Sequence, residues 1–276
     1  MAGTLFIVPT PIGNLGDMTI RAKETLESVD FVASEDTRVG GKLLMLLGIK
    51  KPLVSYHEHT SKSVIDAITE RILAGESCAI ITDAGTPAVS DPGEKLVSAC
   101  ASAGVNICAL PGACAAVTAL SASGLASRRF CFEGFLPENK RERKERIDEL
   151  TREKRTFILY VSPHDAESYL GELADAFEDR PCVLAKELTK IHERFFRGGV
   201  RAVAKQFGEL SSADKRGEYV LIIEGASESD DFFKDMSIEE HVQHYISLGL
   251  SKMDACKAVS RDRGVGKGEI YKIVNS

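Results

Sequence analysis

SCAIITDAGTP, from Ser77 to Pro87, joins a continuous apolar run to a short loop of small residues. An apolar run without alternation predicts a strand that is covered on both faces, as in a parallel sheet between helix layers. In open sheets of this kind, ligands bind beyond the carboxyl ends of the strands. Asp83 provides a carboxylate there, Ala84 and Gly85 add no bulk, and Pro87 stiffens the loop. The stretch therefore predicts one wall of a ligand site.

The next predicted strand, VNICALP, ends in a similar loop. PGACA follows it from Pro111 to Ala115 and opens a helix of small residues. Because parallel strands end at the same edge of a sheet, the two loops are expected to face one crevice. The residues expected to line a cofactor site there are Asp83, Ala84, Gly85, Pro87, Gly112, Ala115 and Ala116.

Strand and helix patterns alternate through the first 125 residues. Short apolar runs are followed by amphipathic segments of helix length, which predicts an α/β fold with an open, largely parallel sheet. Helices are expected to begin at Asp17, at Ser61 and at Asp91, the last with Pro92 in the first helical position. We assign residues 1–125 to a first αβα domain.

The composition changes between Leu125 and Pro137, and a second αβ pattern follows. Strands are expected in FILYVSP, PCVLAKEL and EYVLIIEG, with helices near 163–177 and 200–210, so residues 126–228 form a second predicted αβα domain. Between them, PENKRERKERIDELTREKR contains eight basic and six acidic residues. This pattern is typical of a solvated helix with many ion pairs, and the alternative is a flank that faces RNA.

The last segment, residues 229–276, has three helical patterns and no strand. The spacing predicts a small helix-turn-helix-like module, and the acidic SESDD segment, Ser227 to Asp231, predicts a linker before it. From Ser237 onward, six Lys or Arg face five Asp or Glu, which is a weak charge excess for an autonomous DNA binder. The tail either helps to position RNA or packs its apolar faces on the body or on a dimer partner.

Polar residues occur at the ends of other predicted strands. EDTR, Glu35 to Arg38, is costly to bury unless it is paired, and the alternative to a site is an Asp36–Arg38 pair that caps the next helix. Lys186 and Glu187 close PCVLAKEL, where an isolated pair is usually a surface ion pair.

Two further motifs have ordinary alternatives. TPIGN, which includes Thr10 and Asn14, lacks the G-x-G-x-x-G dinucleotide fingerprint, so a plain tight turn is its alternative. His57 and His59 share the spacing of a metal site, but the sequence offers no third ligand, so we predict no metal.

Composition restricts the class of protein. The net charge of −6 over 276 residues does not indicate a general nucleic-acid binder. Seven cysteines without a C-x-x-C motif are expected to be reduced and buried. There is no signal-peptide pattern, and the apolar stretches are too short to cross a bilayer. We therefore expect a cytoplasmic protein that does not enter the membrane.

Together these motifs resemble one family. TPIGNLGDMTIRA, SEDTR, ITDAGTPAVSDPG, LPGACAAVTALSASGL, FEGFLP, KELTK and GEYVLIIEG follow each other as in the ribosomal RNA small subunit methyltransferase I family of the tetrapyrrole methylase superfamily. The resemblance implies two αβα domains with S-adenosylmethionine in the cleft between them, and a homodimer. It also implies methylation of a cytidine 2′-oxygen in the decoding region of 16S rRNA, and no membrane or DNA partner.

The resemblance and the chemistry of methyl transfer suggest roles for the polar residues. A ribose hydroxyl needs a base or a strong hydrogen bond to become nucleophilic, and the sequence does not rank Glu35, Asp36, Lys186 and Glu187 for that role. The catalytic group is expected to contain Asp36, Arg38, Lys186 and Glu187. Substrate contacts are expected from Thr10, Asn14 and Glu35.

The chain departs from the usual sequence of the family at two positions. Asp165 and Lys186 stand where the family usually has Arg, and Lys lacks the bidentate fork of Arg.

One alternative function is that of a tetrapyrrole C-methyltransferase of the same superfamily, although the first loop differs from the G-x-G-P-G-D typical of that branch. The other is a non-enzymatic nucleic-acid-binding protein that uses the tail.

Overall fold

The apolar run before Asp83 forms the middle strand of a five-stranded parallel sheet. In the computed structural model, which describes residues 2–227, 233 and 236–274, this strand lies between two others and all four of its residues are buried. The strand order is β3-β2-β4-β1-β5. The elements of this first unit are β1 (Thr4–Ile7), α1 (Ile20–Ser28), β2 (Phe31–Ser34), α2 (Thr37–Leu46), β3 (Leu53–Ser55), α3 (Lys62–Leu73), β4 (Cys78–Ile81), α4 (Glu94–Ser102), β5 (Asn106–Ala109) and α5 (Ala115–Ser123).

The starts of α1 and α4 differ from the sequence prediction. Thr19 caps α1, and the predicted cap Asp17 lies one turn earlier in a short 3₁₀ helix. The prediction that Asp91 caps α4 is also wrong. Because the chain takes left-handed turns at Ala88 and Ser90 (φ 66° and 65°), it bends once more before α4 begins at Glu94. α3 begins after Ser61 as expected, but the Ser61 side chain makes no capping hydrogen bond.

The second unit contains a mixed five-stranded sheet in the order β6-β7-β10-β8-β9. Two of its strands were not expected from the sequence, and both are edge strands with charged or exposed residues that interrupt their apolar pattern. The elements of this unit are β6 (Phe130–Phe135), α6 (Lys140–Leu150), β7 (Thr156–Val161), α7 (Ala166–Phe177), β8 (Pro181–Lys186), β9 (Arg194–Gly199), α8 (Val200–Gly208) and β10 (Tyr219–Ile223).

Helix α5 joins the two units. Its small residues Ala116 and Ala119 pack with Ile158, Val220 and Ile222 of the second sheet in one buried cluster. The first unit therefore extends a helix over the second sheet, and the strand-end loops of the first sheet face the second unit. The boundaries at residues 125 and 228 stay predictions.

The basic and acidic residues of α6 form ion pairs, as the first of the two alternatives expects. Arg143, which is 7% exposed, donates two hydrogen bonds to the Glu172 carboxylate (2.9 and 3.0 Å) and others to the carbonyls of Pro137 and Glu138. Its guanidinium also lies over the ring of Tyr169. Arg143 thus holds the loop before α6 against α7.

Replacing Arg143 by Ala is expected to lower the free energy of unfolding by about 2 kcal/mol, because carbonyls and a half-buried carboxylate lose their donor. Urea unfolding followed by circular dichroism measures this loss. Arg141→Ala is the matched control, since the Arg141–Glu145 pair is exposed and contributes little. Equal losses for the two variants would contradict a structural role for Arg143.

The tail forms three helices, α9 (Ile238–Ser247), α10 (Lys252–Arg263) and α11 (Lys267–Val274), as the sequence predicts. Ala255, Val259 and Ile270 are buried in a small core of the tail itself. Arg152 of the second unit donates a hydrogen bond to the Arg261 carbonyl and so links the body to the tail. The predicted SESDD linker lies, from residue 228 onward, outside the described residues.

Candidate methyl-donor cleft

A cavity of about 430 Å³ lies between the two units. The first unit contributes the residues after β4 and the start of α5, and the second unit contributes the carboxyl ends of β6 and β7 and the loops beside β8 and β10. The cavity is lined by Ile12, Glu35, Asp83, Ala84, Gly85, Thr86, Val89, Ser90, Asp91, Cys114, Ala115, Phe135, Tyr160, Val161, Ser162, Pro163, Leu188, Glu218, Tyr219 and Val220.

The three loops on the first unit's side are fastened to each other. Thr10 and Gly85 exchange two backbone hydrogen bonds of 2.8 and 3.0 Å. The buried Thr10 hydroxyl donates to the Thr82 carbonyl (3.0 Å), and the Thr86 hydroxyl donates to the Ala113 carbonyl (2.8 Å). This wall of the cleft is therefore held in shape by the protein before any ligand binds.

Three carboxyl groups of the first unit, those of Glu35, Asp83 and Asp91, face the cleft. Glu35 accepts hydrogen bonds from the Thr82 hydroxyl (2.5 Å) and from the Asp83 amide (3.3 Å). Burial, together with the negative charges of Glu35 and Asp83, raises the pKa of Asp91 to about 6. Burial also raises the pKa of Asp83. Such a cluster favours a cationic ligand, because a positive charge relieves the mutual repulsion of the carboxylates.

The opposite wall is mainly apolar and aromatic. Leu188 and Val220 are buried beside the cavity, and the rings of Phe135 and Tyr160 meet edge to face at 5.5 Å. Burial raises the pKa of Tyr160 to about 12, so its hydroxyl stays protonated at neutral pH. An acidic wall opposite an apolar wall suits a ligand with a cationic centre and a flat ring.

The expected residues Lys186 and Glu187 lie near the cleft without lining it. The Lys186 ammonium donates to the Asp214 carbonyl. The Glu187 carboxylate accepts from the Lys190 ammonium (2.9 Å) and from the Glu218 amide (2.8 Å), which lowers the pKa of Glu187 despite its partial burial. A Cβ on Gly13 would lie 2.5 Å from Lys190 Cγ, so this loop packs closely on the first loop of the other unit.

Asp36 and Arg38 form the ion pair that the sequence offered as an alternative. The Asp36 carboxylate accepts hydrogen bonds from the Arg38 side chain and from its backbone amide, and so caps α2. These hydrogen bonds lower the pKa of Asp36 to about 2. The Asp36 amide donates to Asp83 (3.2 Å), so the pair stands next to the cleft.

The other expected site residues have different surroundings. Asn14 caps the 3₁₀ helix, and Ala116 is buried beneath the cleft in the cluster around α5. Pro87 and Gly112 do not line the cavity. A Cβ on Gly112 would lie 2.5 Å from the Pro9 ring, so this glycine allows two loops of the first unit to approach each other.

His57 and His59 have ring centroids 6.4 Å apart, and within residues 2–227, 233 and 236–274 no group of three or more His, Cys, Asp or Glu is arranged to hold a metal ion. None of the helices described is both long enough and apolar enough to span a bilayer.

Comparison with known proteins identifies the family. The family model Tetrapyrrole (Corrin/Porphyrin) Methylases matches residues 4–204. Ribosomal RNA small subunit methyltransferase I of Bacillus subtilis (strain 168) is 42% identical over 274 residues, which cover 98% of this chain and 93% of the relative. The chain belongs to the ribosomal RNA small subunit methyltransferase I family. The Haemophilus influenzae enzyme of the same name is 46% identical and covers 83% of this chain and 81% of its own.

The chain also shares its architecture with more distant methylases. Uroporphyrin-III C-methyl transferase from Thermus thermophilus, solved with S-adenyl homocysteine, is 18% identical and superposes with a TM-score of 0.55. The match covers 80% of this chain and 97% of that one. This likeness, together with the topology of the two sheets and the three helices of the tail, confirms the predicted fold class.

The two departures from the usual pattern of the ribosomal RNA small subunit methyltransferase I family have local consequences. Asp165 precedes α7 and its side chain makes no capping hydrogen bond. The Lys186 ammonium donates a hydrogen bond to the Asp214 carbonyl. Arg197 is engaged as well, because it donates to the Ser123 carbonyl and to the Ala122 carbonyl (2.6 Å) at the end of α5. Arg194 lies over the ring of Phe196.

Sequence reasoning missed most of the second unit's contribution to the cleft. Tyr160, Ser162, Leu188 and Tyr219 belong to strands or loops that the sequence identified, but nothing local indicates that they face the first unit. Asp91 has a signal in the sequence, because it follows DAGTP within the same loop, but its place before Pro92 favours a helix cap instead. The geometry of the left-handed turns before it explains that error.

Proposed function

We propose that the protein transfers a methyl group from S-adenosylmethionine to the 2′-oxygen of a cytidine in the decoding region of 16S rRNA. The observation that carries the proposal is the cleft between the two units, in which small-residue loops and three carboxyl groups face an apolar wall. Family membership supports the ribosomal substrate. We further propose that the protein works in the cytoplasm as a homodimer.

The residues around the cleft fit the methyl donor. Ala84, Gly85 and Ala115 leave room for a flat ring beside the start of α5, and Asp83 with Glu35 provides negative charge for a cationic sulfonium. When bound, S-adenosylmethionine supplies a methyl group that is already activated for transfer. The protein's part is to orient the acceptor oxygen, to exclude water and to accept a proton.

Among the carboxyl groups, Asp91 is best suited to accept that proton. A base works best when its pKa is close to the pH at which the enzyme operates, and the pKa of Asp91 is about 6. Asp36, with a pKa of about 2, binds protons too weakly, and Glu187 is held by Lys190 and by a backbone amide. We therefore propose Asp91 as the base.

The remaining residues are proposed to act around these groups. Arg38, exposed at the edge of the cleft, and Lys186 are proposed to face the RNA, as are Thr10 and Asn14 in the first loop. Pro87, Gly112 and Ala116 are proposed to maintain the shape of the donor site from behind. Of these, Arg38 and Asn14 present exposed polar groups.

The proposal is tested with purified protein, labelled S-adenosylmethionine and two substrates, free 16S rRNA and the assembled small subunit. Label is expected in a cytidine of the decoding region, in a linkage that resists alkali because the 2′-oxygen is blocked. Label on a base, or label accepted only by a tetrapyrrole precursor, would contradict the proposal. Heat of donor binding without transfer to either RNA substrate would reject the rRNA assignment alone.

Truncation after Ser229 is expected to leave donor affinity unchanged and to raise the KM for the small subunit, most strongly at low salt. The reason is that phosphate contacts position a nucleic acid and are weakened by salt. Lys267 and Lys272 on α11 are both exposed and are available for such contacts. Full activity of the truncated protein across a salt series would show that the tail does not bind substrate.

A further inference from the structure

A second cavity, about 210 Å³ in volume, borders the cleft on the other side of Asp83. We call it the α2 groove. It lies between the first loop and α2, and Thr82 and Asp83 form its inner end. Because Asp83 lines both spaces, a ligand in the α2 groove lies directly beside the proposed donor site.

The α2 groove combines an exposed apolar floor with a cation. Leu15, Val39 and Leu46 line it and are 42%, 41% and 57% exposed. Lys42 lies among them, is exposed, and has no ion-pair partner within the part of the chain that the structure describes. By contrast, Arg38 on the same helix is neutralised by Asp36.

An exposed apolar surface beside an unpaired ammonium favours a particular kind of ligand, and the ammonium stands out on a protein with a net charge of −6. An apolar surface accepts the face of a base, and an unpaired ammonium attracts a phosphate. RNA is read mainly where bases leave the stack and lie on protein surfaces. A second protein chain would use the apolar floor but would gain less from an unpaired ammonium.

We infer that the α2 groove is a binding site for an unstacked nucleotide of the RNA substrate, with Lys42 on its phosphate. The inference rests on the proposed function for the identity of the RNA. It places the substrate next to the donor, as transfer requires, since the reacting atoms must approach to about 3 Å. Lys42 is a binding residue and takes no part in the chemistry.

The test uses the full chain with small ribosomal subunits that lack the modification. Lys42→Glu is expected to raise the KM for the subunit about tenfold, the effect of losing one charge-assisted hydrogen bond, with unchanged donor affinity. Val39→Asn is expected to raise the same KM by a smaller factor. Lys50→Glu is the matched control, because Lys50 is exposed, lies in the loop between α2 and β3, and does not line the groove.

Photo-crosslinking separates this inference from the proposed function. With the unaltered protein, crosslinks from 16S rRNA to the peptide that contains α2 are expected even if no methyl group is transferred, and their absence would overturn the inference. An unchanged KM in both groove variants would also overturn it. If sedimentation shows instead that Lys42→Glu and Val39→Asn dissociate a dimer, a second copy of the chain occupies the groove and the inference is wrong.

Discussion

Asp91→Asn is expected to lower kcat for methylation of the small subunit about a hundredfold, because a well-placed general base contributes at least that much. In a plot of kcat/KM against pH, the variant should also lose the acid limb, that is, the fall of kcat/KM as the pH decreases. In the unaltered enzyme that limb is expected near pH 6, since kcat/KM reports the free enzyme, in which the pKa of Asp91 is about 6. A bound cationic donor lowers this pKa, so the limb in kcat should lie at lower pH.

The thermal stability of the Asp91→Asn variant provides a control for the activity measurement. Because the folded-state pKa of Asp91 lies above its usual value of 3.8, the ionised carboxyl opposes folding and this cost is present above about pH 6. Asp91→Asn should therefore be at least as stable as the unaltered protein at pH 8, and a lower melting temperature there would make the activity loss uninformative. Thermal unfolding at pH 5 and pH 8 measures this.

The matched comparison for Asp91 is Asp36→Asn. Asp36 is ion-paired with Arg38 and its pKa is about 2, so its removal should shift no acid limb between pH 5 and 8. If Asp36→Asn removes the limb and Asp91→Asn does not, the base lies in EDTR, one of the two segments between which the sequence does not decide. Donor binding by calorimetry should persist in both variants, which separates loss of chemistry from loss of the donor.

Most strands and helices were predictable in their order because buried elements show a local pattern of apolar residues in the sequence. β4 and β10 are continuous apolar runs, and each is buried along its whole length. The edge strands β6 and β9 show no such pattern, because only part of each strand is buried and charged residues interrupt the apolar run. Edge strands are therefore the elements that sequence periodicity misses first.

Half of the cleft was predictable for the same reason. Asp83, Gly85 and Ala115 follow strands of one parallel sheet, so the rule that ligands bind at carboxyl ends brings them together. Tyr160 and Leu188 reach the cleft only through the packing of α5 on the second sheet, which depends on residues far apart in sequence. The position of Asp91 depends on the left-handed turn at Ser90, and no residue type there requires that conformation.

Filling the cleft from α5 is the sharpest test of the donor site. Ala115 is the first residue of α5, lines the cavity and is half-exposed, so Ala115→Phe places a ring where the donor is proposed to lie. Gly112→Leu is less informative, because its side chain would strike Pro9 and displace a loop. Overpacking costs typically about 1–3 kcal/mol, so donor affinity should fall by between about fivefold and about 150-fold.

Val117→Phe is the control for Ala115→Phe, because Val117 lies on the same helix, is 53% exposed and does not line the cavity. It adds a ring to α5 without entering the cleft, so its donor affinity should match that of the unaltered protein. Calorimetric titration with S-adenosylmethionine measures both variants. If Ala115→Phe binds the donor as tightly as Val117→Phe, while both remain folded, the donor does not lie beside α5 and the cleft between the units is not its site.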